Sequence, residues 1–236
     1  MSWHLGRLCG FDLETSGIDV ENDRIVTACI VQCGGGQPTV SATWLADPGI
    51  DIPEQATQVH GITTERAQTE GKPAAEVVAD ILAALGQVIA AGVPVVAMNA
   101  RYDLTMLDRE ARRHGLAPLP DGFPVIDPYV IDKHVDRYRK GGRKLTDLCA
   151  HYGVPIGDAH TADADAIAAC RVAWRIGSTR PEMAAYVLPE LHALQVGWAA
   201  EQAADYQDYR RRTDPNAVIR GEWPLLPIPQ QQDGDQ

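Results

Sequence analysis

The stretch GFDLETSG, residues 10–17, places two carboxylates, Asp12 and Glu14, in what otherwise reads as an opening strand. Side chains two apart on a strand project from one face, so both acids point the same way, and they do so at the strand's C-terminal end. The strand is read over residues 5–13, followed by strands over 24–32 and 38–45, the second rich in β-branched residues. The CGGGQP segment between the last two is a turn. Three successive strands predict an antiparallel meander with the paired acids at one end of its first strand.

Beyond the meander the period changes. Residues 73–92 carry apolar side chains at Val77, Val78, Ile81, Leu82, Leu85, Val88 and Ile89, with Pro73 in the first turn and Gly92 past the end, a pattern that predicts an amphipathic helix. VPVVAM (93–98) is a short continuous apolar run, as in a strand buried on both faces, and NARYDLTMLDREARRHG after it reads as a helix closed by Gly115. Strand then helix recurs in PVID and PYVIDKHV. Further helices are expected at 144–151, 161–176 and 184–212, the last with Leu191, Leu194, Trp198, Gln202, Tyr206 and Tyr209 near one stripe. The fold class that follows is α/β, a mixed five-stranded sheet flanked by helices. Residues 1–180 are read as the main domain, 181–223 as a helical extension packed on it, and the aperiodic 224–236 as a mobile tail.

A third acid, Asp103, falls in the first turn of the helix after the 93–98 strand, which puts it at the same sheet edge as Asp12 and Glu14 if the two strands are neighbours. HTADADA, residues 160–166, offers a fourth. His160 and Asp165 would point roughly 140° apart if both were helical, so His160 is placed in the loop before the helix, with Thr161 as N-cap. Helix geometry alone leaves Asp163 and Asp165 as alternatives for the inward acid. Each like-charge pair among four converging carboxylates costs about 4 kcal/mol at about 4 Å and an effective dielectric of 20. Nearby sequence offers only Arg101 as a countercharge. Two divalent cations, Mg²⁺ or Mn²⁺, suit hard oxygen ligands and can clamp the attacking and leaving oxygens of a phosphodiester.

The formal net charge of −11 argues on average against a nucleic-acid partner, but Lys133, Arg137, Arg139, Lys140, Arg143 and Lys144 fall within twelve residues. That basic loop is read as a phosphate-backbone contact, carried by Arg139, Lys140, Arg143 and Lys144. Five cysteines with no CxxC pair read as reduced thiols of a cytoplasmic protein. No stretch approaches the roughly 18 apolar residues of a membrane span, and the N-terminus lacks the apolar run of a secretory leader, so a soluble, unprocessed protein without a membrane partner is expected.

These motifs together resemble the DnaQ-like, DEDDh-type 3′–5′ exonucleases, the group of the proofreading subunit of bacterial replicative polymerase. FDLETSG is similar to the first motif of that family, NARYDLTML to the second and HTADADA to the third, whose His-x4-Asp spacing selects His160 and Asp165. PEQATQVHGIT is similar to a segment that borders the terminal nucleotide, and the likeness runs over roughly residues 7–176. The resemblance implies a ribonuclease H-like fold and stepwise release of nucleoside 5′-monophosphates from a 3′ end. It implies Asp12, Glu14, Asp103 and Asp165 as ligands of two metal ions and His160 as general base. Thr15, Ile18, Val59, His60 and Tyr102 would surround the terminal nucleotide. Tyr102 stands where Phe is frequent and Ser16 where Thr is frequent. DNA is the favoured substrate, in proofreading or repair with a polymerase or repair partner. The alternatives are RNA as substrate and a non-catalytic polymerase-associated subunit.

Overall fold

The computed structural model describes residues 2–155 and 161–229. A short 3-10 turn, Trp3–Leu5, leads into β1 (Arg7–Thr15), β2 (Ile25–Gly34) and β3 (Val40–Asp47). These form the expected meander: β1 pairs antiparallel with β2 and β2 antiparallel with β3. Two short helices follow, α1 (Glu54–His60) and α2 (Thr64–Glu70), then β4 (Lys72–Pro73) and α3 (Ala74–Ala90). The chain continues through β5 (Val95–Val96), α4 (Ala100–Arg113), β6 (Val125–Ile126) and α5 (Pro128–Val135). It ends in α6 (Leu145–Tyr152), α7 (Ala162–Thr179), α8 (Pro181–Ala184) and α9 (Leu188–Arg210).

The sheet has six strands, in the order β4-β3-β2-β1-β5-β6, where the sequence predicts five. The sixth is β4, a two-residue parallel pairing of Lys72 and Pro73 with Ala46 and Asp47, too short to leave a periodic signal. Pro73 therefore closes a strand and sits at the N-cap of α3 rather than inside its first turn. β5 and β6 are two residues each and parallel to β1. The apolar run 93–98 is thus only partly strand, because Asn99 adopts the left-handed conformation (φ 60°) and turns the chain into α4. Asn tolerates that region better than most residues.

The helix predicted over 184–212 is α9, which begins only at Leu188, after the separate short α8 has ended at Ala184. Pro189 lies in the first turn of α9, where its missing N–H costs no helical bond, and Val187 is the extended N-cap (φ −83°, ψ 154°). α9 also covers the free edge of β6. Val125 donates its N–H to His192 Nδ1 (3.2 Å), and its carbonyl accepts from Gln195 Nε2 (2.9 Å). Gln195 Oε1 in turn accepts from the N–H of Asp127 (2.7 Å), so fully buried Gln195 substitutes for a further strand.

The expectation of a tail free from residue 224 is corrected as far as residue 227. Leu226 donates its N–H to Thr105 Oγ1 (3.0 Å), and Arg109 Nη2 donates to the carbonyls of Leu226 (3.2 Å) and Pro227 (2.8 Å). An extended segment held by backbone bonds to a buried arginine has no helix or strand period to betray it. No helix among the described residues is long and apolar enough to cross a membrane.

Candidate active site

Gly10, on the same face of β1 as Asp12, sets the geometry of the site. A Cβ at Gly10 would lie 2.9 Å from Cys170 Sγ and closer still to the carbonyl oxygen of Ala166. Because the side chain is absent, α7 rests directly on β1. That contact carries Asp165, the neighbour of Ala166, over the two acids of β1. Asp12, Glu14 and Asp165 each present an oxygen, and the three lie within 4.8 Å of one another. The choice left open between Asp163 and Asp165 resolves geometrically: Asp165 joins the cluster, whereas Asp163 is exposed.

Asp103 enters from the other side. It is 4% exposed, and its Oδ1 accepts the N–H of Leu13 at 3.1 Å, which fixes α4 against β1 between the two acids. The electrostatics of the group are one-sided. Burial raises the Asp12 carboxyl well above its usual range, and the charges of Asp103, Glu14 and Asp165 raise it further. Glu14 is pushed up to about 7 by burial and by Asp165. Asp103 is raised by burial and by Asp127 and Glu14, against the pull of the Leu13 hydrogen bond. The charges acting on all three are carboxylates. An all-oxygen donor set with excess negative charge fits divalent metal ions such as Mg²⁺ or Mn²⁺.

The residues expected around a terminal nucleotide come together as one cavity of about 620 Å³ beside Glu14, lined by Thr15, Ile18, Val59, His60 and Tyr102. Thr15 Oγ1 and Tyr102 Oη are 2.6 Å apart and both donate to the carbonyl of Gly17 (2.7 and 2.6 Å). The tyrosine thus holds the turn after β1 with a hydroxyl that phenylalanine lacks. Ile18 (92% exposed) and Val59 (54%) stand at the rim as apolar surfaces open to solvent. His60 Nδ1 accepts the N–H of Ile62 (3.1 Å), and burial lowers its pKa, so the neutral ring carries its proton on Nε2. His160 lies outside the described residues.

The basic loop divides. Arg139 and Arg143, each 12% exposed, both form ion pairs with Asp132, which is fully buried and also accepts from the Tyr152 hydroxyl (2.9 Å). Their charge is committed inside the protein, while Lys140 and Lys144 are exposed.

Asp127 has a positioning role that the sequence reading missed. It is 1% exposed; its carboxylate accepts the N–H groups of Asn99 and Ala100 (both 3.0 Å), of Tyr129 (3.0 Å) and of the Trp223 indole (3.2 Å). It therefore caps the turn that launches Tyr102 and Asp103 as well as α5. Its position, one residue before Pro128 at a helix start, is an N-cap signature that sequence alone could have flagged.

The exonuclease family model RNase_T matches residues 9–173, which include Asp12, Glu14, Asp103 and Asp165. The chain belongs to the RNase_T exonuclease family. Within this family, curated relatives include the PolC-type DNA polymerase III of Lacticaseibacillus paracasei, 28% identical over 156 residues (66% of this chain, 10% of the polymerase). The PolC-type enzyme of Lactococcus lactis is 24% identical over 191 residues, 80% of this chain and 10% of the polymerase. The chain spans about a tenth of the length of these relatives. Among solved structures, E. coli exonuclease I in complex with a dA16 oligonucleotide superposes with a TM-score of 0.64 at 18% identity, over 75% of this chain and 42% of that one. The exonuclease I of Methylocaldum szegediense gives 0.62 at 21%, with the same coverage. The mixed six-stranded sheet is accordingly a ribonuclease H-like fold shared with exonuclease I.

Proposed function

We propose that this family member is a divalent-metal-dependent 3′–5′ exonuclease that removes nucleoside 5′-monophosphates from DNA. The observation that carries the reading is the convergence of Asp12, Glu14 and Asp165 within 4.8 Å, beside buried Asp103 and at the mouth of the Thr15–Tyr102 cavity. Asp12, Glu14, Asp103 and Asp165 would hold two Mg²⁺ or Mn²⁺ ions, which when bound stabilise the attacking and leaving oxygens of a phosphodiester.

The remaining work falls to the chain. Ile18 and Val59 offer apolar surface to the terminal base and the Tyr102 ring a π-face, while Thr15 and the Nε2–H of His60 supply polar contacts to sugar and phosphate. His160 takes the proton of the attacking water, a task suited to an imidazole near neutral pH. The relatives that are DNA polymerases, and the structural neighbour bound to dA16, support DNA over RNA.

The test is product analysis of 5′-labelled and 3′-labelled DNA and RNA oligonucleotides with Mg²⁺, Mn²⁺ or EDTA, comparing wild type with Asp12→Asn. A 5′-labelled DNA ladder shortening by single nucleotides, with monophosphate leaving the 3′ label, is expected, and it should vanish in EDTA and in the variant. Faster shortening of RNA would move the assignment to an exoribonuclease. Absence of cleavage under every metal would leave a non-catalytic subunit.

A further inference from the structure

The stripe on α9 leaves the core halfway along the helix. Leu191, Gln195 and Trp198 are buried, yet Tyr206 and Tyr209, about two and three turns beyond Trp198, are 45% and 61% exposed. They border a groove between α9, α5 and residues 218–223. Two adjoining hollows, of about 350 and 680 Å³, share Lys133, Gln202 and Tyr206 as common wall. The first begins at Arg101, two residues from Asp103; the second ends at Tyr138 and Tyr209.

Four tyrosines along this face each lie beneath a cation. Lys133 Nζ is 4.8 Å from the ring of Tyr129, Arg137 5.7 Å from Tyr138, Arg210 5.9 Å from Tyr206 and Arg212 5.8 Å from Tyr209. The rings of Tyr206 and Tyr209 are 6.3 Å apart and 17° from parallel, and His134 stacks on Trp198 at 3.8 Å. Arg101 and Arg220 add positive charge at the end nearest the acidic cluster. Of the acids lining the hollows, Asp127 is buried beneath four N–H donors, and Asp205 is engaged by Arg137 in an exposed pair of the kind that exchanges readily. Glu201 remains as local negative charge.

Aromatic faces interleaved with cations, in a chain of net charge −11, are the surface that binds single-stranded nucleic acid: bases stack and phosphates pair. We propose that the α5–α9 groove carries the single-stranded DNA lying upstream of the nucleotide being released, a reading that rests on the exonuclease assignment. From Ala199 to Tyr209 the helix runs about 15 Å, room for about four nucleotides at stacked spacing. The family match ends at residue 173, so the α9 wall of this path lies outside the matched region while the α5 wall lies within it.

The full chain is tested with a trinucleotide and a 15-nucleotide single strand, comparing wild type with Tyr206→Ala/Tyr209→Ala and with Lys133→Gln/Arg220→Gln. Wild type should prefer the longer substrate through KM. Each double variant should lose about tenfold or more of that preference, with kcat on the long strand retained, and the charge variant should also flatten the salt dependence of KM. Melting curves verify folding. As a measurement free of variants, photocrosslinking of wild type in EDTA to strands bearing 5-iodouracil three to five nucleotides from the 3′ end should label the peptide containing Tyr206 and Tyr209. An unaltered length preference in folded variants, or crosslinks confined to other peptides, overturns the groove assignment while leaving the exonuclease reading intact. Failure of wild type to shorten or bind any strand removes both.

Discussion

Two aspartate centres, one buried and one opening toward the surface, lie in the same protein and are handled in opposite ways. Asp132 is fully buried, paired with Arg139 and Arg143 and hydrogen-bonded by Tyr152. Asp12, Glu14 and Asp165 converge beside Asp103, and burial together with neighbouring carboxylates raises the pKa values of Asp12, Glu14 and Asp103. A buried acid with two guanidiniums is a finished structural unit. A cluster whose Asp12, Glu14 and Asp103 carboxyls are each raised by burial and by neighbouring carboxylates is one that a bound divalent cation would relieve.

Breaking each centre separates the two roles. Asp132→Ala strands two arginines without their carboxylate and should cost about 3–5 kcal/mol in urea unfolding, with turnover per folded molecule retained. Asp12→Asn should behave inversely. Nucleotide release falls by about 10²–10³-fold or more, while melting in EDTA stays level or rises because a like charge has gone. Loss of stability without gain elsewhere in Asp12→Asn would mean that the cluster is structural after all.

A smaller perturbation reaches the cluster indirectly. Gly10→Ala forces α7 away from β1 at Ala166 and should destabilise by about 1–3 kcal/mol, with a disproportionate drop in kcat as Asp165 shifts. Activity falling only in step with folded fraction would show that α7 relaxes without moving the acid.

The smallest effect sharpens the comparison through pH. With a folded value of about 7 against 4.5 ordinarily, Glu14 contributes stability fully below pH 4.5 and loses it as pH rises through about 7. Asp12 and Asp103, also raised, act in the same direction. Metal-free protein should therefore melt a few degrees lower at about pH 7.5 than at about pH 5 on their account, and Mg²⁺ should cancel the difference at the higher pH. The Asp12→Asn variant should show a shallower slope. An identical slope in that variant would assign the pH dependence to other groups.

Much of the centre of the fold is legible in the residues. The meander, the α3 stripe and the placement of Asp12 and Glu14 on one strand face follow from periods of two and 3.6 that tertiary packing leaves undisturbed. What was missed has a shared physical cause. α1 and α2 are seven residues each, too short to establish a period, and β4 is a two-residue pairing. Arg139 and Arg143 read as open charge because the partner that claims them, Asp132, is recognisable only once α5 turns it inward. The glycine at position 10 carried a readable signal, since glycine inside a strand marks close approach of another backbone.

The capping of β6 by His192 and Gln195 bears on where this chain can be cut. Trimmed to the residues that match its family, it would present a bare N–H and carbonyl row at the end of the sheet, a template for pairing with another molecule. The extension works there as a guard against self-association. A fragment ending near residue 180 is accordingly expected to aggregate or form edge-to-edge dimers, even with every acid of the cluster intact.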